Sequence, residues 1–118
     1  MIDALLILYR FNCKLPSFDT PTSTRIIDNP KFAPYFEDCI GALDGTHVEM
    51  HIPLEIQPRY RNRKGTLSQN ILAVCDFDMI FVYVLAGWEG SAHDSRVLAD
   101  AISSKGFKTP VGKYWLGK

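Results

Sequence analysis

Cysteine is scarce in this 118-residue chain and never paired as CxxC. Cys13, Cys39 and Cys75 are odd in number and widely spaced. That excludes a disulfide-stapled secreted scaffold and a cysteine zinc site, and favours a reducing compartment. Cys39 and Cys75 lie inside apolar runs and read as small buried hydrophobes. Long apolar stretches are missing too: Ala4 to Tyr9 is far too short to cross a bilayer, so no membrane partner is expected. The opening MIDALLILYRFNCKLP lacks the basic leader and small-residue cleavage site of a secretory signal, and reads as a short helix or a buried lid. No repeat or low-complexity tract occurs. Charge of one sign is not in excess either, the formal net charge being +0. Attraction to nucleic acid therefore has to come from local clustering.

What is present is the composition of a globular chain, 47% hydrophobic and 22% charged, which separates it from disordered sequences. The length allows one small domain with a real core. From Lys14 to Pro34, four prolines (Pro16, Pro21, Pro30, Pro34) break the chain into a loop-like arm. Residues 1–34 are thus read as a short apolar segment and a proline-rich arm, and 35–118 as the folded domain. Cys39 to Ile52 predicts a strand, since Val48, Met50 and Ile52 alternate with Glu49 and His51. Ile71 to Cys75 and Ile80 to Ala86, joined through Asp76-Phe77-Asp78, predict an antiparallel hairpin. Asp94 or Ser95 can cap a helix carrying Val97, Leu98, Ala101 and Ile102, with Gly106 ending it. Tyr114 to Leu116 begins a further strand. The order predicts an α/β fold with three antiparallel strands, a helix and the start of a fourth strand.

Asp44 stands in the first strand and Asp94 at the mouth of the helix. Oxygen-rich sites with one or two carboxylates suit Mg²⁺ or Mn²⁺, and such ions drive phosphodiester cleavage. Both acids are candidate metal ligands, and Asp94 is equally a helix cap. His47, His51 and His93 do not form an HExxH-like pattern and read as orienting a neighbouring carboxylate or satisfying a polar edge rather than as zinc ligands. Asp76 and Asp78 read as turn residues, and Glu49 and Glu89 as solvated. The run Arg59-Tyr60-Arg61-Asn62-Arg63-Lys64 packs four cations into six residues. Arg59, Arg61, Arg63 and Lys64 are candidate phosphate contacts, the alternative being a solvated basic loop.

Three segments, GALDGTHVEMHIP, YRNRKGTLSQNILAVCDFDMIFVYVLAGWEGSAHDSRVL and KYWLG, occur in this order. Together they resemble the nuclease domain of PIF/Harbinger DDE transposases and the Harbinger-derived nucleases. The resemblance implies an RNase H-like fold, present here in part, and divalent-metal-dependent cutting of DNA by a carboxylate triad. Asp44 matches the first catalytic aspartate, Asp94 a recurring acid of the GSAHDSRVL segment, and RNRKG the basic loop. Aligning Tyr114 to Gly117 puts Lys118 where the second acid is expected, and the third acid has no counterpart. The resemblance therefore implies a DNA-directed nuclease domain, nuclear with the cytoplasm as the alternative, that is incomplete and inactive by itself, with a partner protein supplying further DNA binding. The alternative is a non-catalytic module that binds DNA or recruits a protein through an exposed strand edge.

Overall fold

A computed structural model describes residues 2–17 and 19–117. The helices are α1 (Ile2–Asn12), α2 (Thr24–Ile27), α3 (Gln57–Tyr60) and α4 (Asp94–Ser104), and the strands β1 (Cys39–Glu49), β2 (Ser68–Cys75), β3 (Phe81–Glu89) and β4 (Tyr114–Gly117). The sheet order is β3-β2-β1-β4, antiparallel through the first three strands in sequence, with β4 parallel to β1. The expected α/β, partly RNase H-like architecture is the one observed.

The chain divides into two compact units. The first holds Met1–Leu43, Val74–Tyr83 and Lys108–Lys118. Here β1 and β4 pair from Cys39↔Tyr114 to Leu43↔Gly117, and the buried hydrophobic residues are Ile26, Cys39, Val74, Val82 and Tyr83. The expected helix at the start forms as α1, but it is no buried lid: none of its residues is buried. Apolar side chains on every side of a short helix cannot all face one core. The proline-rich arm is not uniformly extended either. Ser23 accepts a hydrogen bond from Arg25 N at 3.3 Å and caps α2 within a stretch free of proline. The β2–β3 turn is built by Asp76, whose Oδ1 accepts from Asp78 N at 2.9 Å and Ile80 N at 3.0 Å.

The second unit, Asp44–Ala73 and Val84–Phe107, carries every candidate site residue. Its buried apolar residues are Leu72, Val97, Ala101 and Phe107. Val97 and Ala101 are four apart and so share one helix face. Gly106, at φ +75°, turns the chain at the helix end, and Phe107 N donates to Ala101 O at 3.0 Å. Two contacts tie α4 to β3: Trp88 Nε1 donates to Asp100 Oδ2 at 3.2 Å, and Arg96 stacks 5.9 Å from the Trp88 ring centre. β2 begins three residues earlier than expected, at Ser68. Ser68 and Asn70 are buried polar positions, which hydropathy alone cannot separate from a loop. β1 ends at Glu49. A 3₁₀ turn over Leu54–Ile56 and then α3 take up part of the polar connection.

Candidate functional site

β1 lays out LDGTH in extended form, and its alternation sorts the residues between two faces. Gly45 faces α4. A Cβ there would overlap the Asp94 carboxylate, whose Oδ2 would lie 2.8 Å away. Only glycine leaves room for that acid. Asp94 is held from β2 as well: Asn70 Nδ2 donates to Asp94 Oδ1 at 2.8 Å and to Ala92 O at 3.2 Å. Both partners are acceptors, which fixes the amide orientation. Asn70 Oδ1 then points away from Asp94 and has no hydrogen-bond partner.

Asp94 is the first residue of α4, and His93, without a side-chain cap bond, precedes it. The expectation that Asp94 or Ser95 caps the helix is corrected by one or two positions. The carboxylate does not turn back onto its own backbone because Asn70 engages it from the neighbouring strand.

The loop between α3 and β2 folds as a small ribbon, with Arg61 bridged to Leu67 and Gly65 at φ +82°. Asn62 organises it. Its Oδ1 accepts from Lys64 N at 2.9 Å and Thr66 N at 3.2 Å, while its Nδ2 donates to Thr66 Oγ1 at 2.6 Å and Ser68 Oγ at 3.2 Å. Buried Ser68 Oγ also lies 3.0 Å from His47 Nδ1.

The four cations have different surroundings. Arg59 makes an exposed 3.9 Å pair with Glu89, which contributes little, and its carbonyl accepts from Ser91 N at 3.3 Å and Ser91 Oγ at 2.8 Å. Arg61 Nη1 donates back to Gly65 O at 2.9 Å. Arg63 Nη2 lies 2.9 Å from His93 Nδ1. Arg63 and Lys64, with His47, Asn62, His93 and Asp94, line a cavity of about 350 Å³. Gly90 also lines it, and a Cβ there would overlap the carbonyls of Ser68 and Tyr60. The structure thus brings Arg63 and Lys64 together with Asp94 and two histidines, and leaves Arg59 and Arg61 off the cavity wall.

Asp44 is exposed, and its Oδ1 accepts from Gly45 N at 2.9 Å. Because Gly45 faces Asp94, alternation sends the Asp44 side chain from the opposite face of β1. A single ion shared by Asp44 and Asp94 finds no support in this arrangement. Among the described residues, no three His, Cys, Asp or Glu side chains are grouped to hold a metal. The donor set fits a role for Asp44 as one hard-oxygen ligand, with further ligands needed from waters or phosphate, and does not make a closed metal centre. Lys118, aligned above with the second acid, lies outside the described residues.

Sequence reasoning missed Ser68, Asn70 and Asn62. The signal available was position: polar residues alternating along SQNILAVC occupy the same face as Leu72 and Val74. Polar side chains on a buried face have to find partners, and here these are His47, Asn62 and Asp94.

Comparison with known proteins adds a second line. A family model described as DDE superfamily endonuclease matches residues 43–118. The protein named "Putative nuclease HARBI1" is 40% identical in Rattus norvegicus and 36% in Homo sapiens, each over 78 residues covering 65% of this chain and 22% of that protein. "Protein ALP1-like" of Arabidopsis thaliana is 37% identical over 67 residues, 54% of this chain and 16% of its own length. The chain therefore spans about a fifth of the curated relatives it matches. No solved structure matches it.

Proposed function

The chain belongs to the DDE superfamily endonucleases of the Harbinger-derived kind, and from that premise we propose that residues 35–118 are part of a nuclear nuclease domain directed at the phosphodiester backbone of DNA. The observation that carries the reading is the organisation of the second unit. The basic loop, the start of α4 and the DGTH strand are cross-linked by Arg63–His93, Asn70–Asp94 and His47–Ser68.

In this reading Arg63 and Lys64 hold a DNA phosphate. Arg59 and Arg61 add positive charge along the strand. Asp44 is the carboxylate this chain offers to a divalent cation, Mg²⁺ or Mn²⁺. When bound, such an ion activates water and stabilises the leaving oxygen. Asp94 acts through its neighbours: held by Asn70 and packed on Gly45, it fixes the loop that carries His93. Asp94 as a metal ligand would need an ion of its own on the other face of β1, and a rotation of that carboxylate away from Asn70. A partner protein supplies further DNA binding.

The second reading is a DNA-gripping module without cleavage, favoured by the lack of a three-ligand cluster among the described residues. The purified chain with duplex DNA and Mg²⁺ or Mn²⁺ separates the possibilities. We expect binding that weakens as salt rises, a salt slope shallower by about 1 in Arg63→Ala, and no nicking. Nicking that disappears in Asp44→Ala would show that this chain is catalytically sufficient. No binding even at low salt would remove DNA from the account.

A further inference from the structure

The histidines of the cavity carry information that no comparison supplies. An arginine guanidinium only donates hydrogen bonds, so the 2.9 Å contact with Arg63 Nη2 makes His93 Nδ1 the acceptor. That leaves the ring hydrogen on Nε2. For His47 the logic runs through two amides. Backbone N–H groups of Lys64 and Thr66 fix Asn62 Oδ1 as the acceptor, so Asn62 Nδ2 donates to Ser68 Oγ. Buried Ser68 then has one hydrogen to place, and His47 Nδ1 at 3.0 Å receives it. The reverse assignment would leave the hydroxyl hydrogen buried and unpaired, which costs more. His47 likewise keeps its hydrogen on Nε2.

Two imidazoles with the ring hydrogen on Nε2, one guanidinium and one ammonium therefore line the same cavity. Asp94 also lines it, but that carboxylate already accepts from Asn70, and two full cations outweigh it. Net positive charge and hydrogen-bond donors on the wall of a concave site of about 350 Å³ suit an oxyanion. We infer that this cavity is a phosphate-binding pocket, in which Arg63 and Lys64 supply charge and the Nε2–H groups of His47 and His93 supply direction. His93 is also a positioning residue, since its Nδ1 holds the guanidinium of Arg63 at the rim. That the phosphate is a DNA backbone phosphodiester rests on the function proposed above; the pocket chemistry does not.

Long-range proton–nitrogen spectra of the imidazoles in the ¹⁵N-labelled chain, recorded at mildly alkaline pH, test the inference with inorganic phosphate as probe. His47 and His93 should both show the Nε2-protonated pattern, and phosphate should shift their signals saturably. His51, which does not line the cavity, should stay put. Arg63→Ala and Lys64→Ala should each weaken the effect about tenfold, and His93→Ala should weaken it while the fold, read from backbone spectra, persists. No phosphate-induced shift, equal shifts at all three histidines, or hydrogen on Nδ1 of His93 would overturn the pocket. A short DNA duplex forms the second arm. Phosphate shifts without any response to DNA would keep the pocket and remove the DNA reading, whereas DNA binding with silent His47 and His93 would overturn the pocket alone.

Discussion

Gly45 and Asn70 decide the position of Asp94 more than Asp94 does itself. A methyl group at Gly45 would occupy the space of the carboxylate, so Gly45→Ala must expel Asp94 from its hydrogen bond with Asn70. We expect a loss of about 2–4 kcal/mol in denaturant unfolding, combining steric overlap with a broken charge-assisted bond. Asn70→Ala removes the same bond from the other side and should cost about 2 kcal/mol. Because both changes break one interaction, the double variant should lose clearly less than the sum. Additive losses would mean that Gly45 and Asn70 act on separate features. At this scale the sequence was legible for charged residues and opaque for their holders. Asp44, Asp94 and the basic run are visible as residue types, whereas Ser68 and Asn70 announce their inward face only through alternation with Leu72 and Val74.

Among elements, the hairpin was readable because two β-rich apolar runs flank an acidic link, and its turn holds a testable liability. Met79 adopts φ 64° with its side chain exposed, and left-handed backbone costs a non-glycine residue about 1 kcal/mol. Met79→Gly should therefore raise stability by about that amount in denaturant titration; a loss would show that the side chain has a partner in the folded state. Boundaries were less legible than elements. β2 starts at Ser68 and β3 runs on to Glu89 because hydrogen-bonded pairing, not hydropathy, sets their ends. α4 was readable from its apolar spacing and from Gly106. Its first residue was misassigned because Asp94 resembles a cap in sequence while its carboxylate is claimed across the unit by Asn70. Leu72, fully buried in β2, is the sensitive core position of this unit: Leu72→Ala should cost about 2–5 kcal/mol, and a cost near zero would mean that the surrounding core is loosely packed.

At the scale of the whole molecule, fold class and family follow from motif order, since DGTH, the basic loop and GSAHDSRVL land on β1, the α3–β2 connection and the start of α4. What motif order could not convey is which face each side chain takes. Two acids that look like partners on paper leave β1 and α4 under different constraints, Asp94 held by Asn70 against Gly45 and Asp44 bonded only to the adjacent Gly45 N–H. In the proposed function the cation-facing role falls to Asp44 and the architectural role to Asp94. The direct test is paramagnetic broadening by Mn²⁺ of backbone amide signals in the 118-residue chain bound to a short DNA duplex. The account predicts saturable broadening centred on Asp44 and Gly45, abolished by Asp44→Asn and retained in Asp94→Asn. Broadening centred elsewhere, or unchanged by Asp44→Asn, would contradict it.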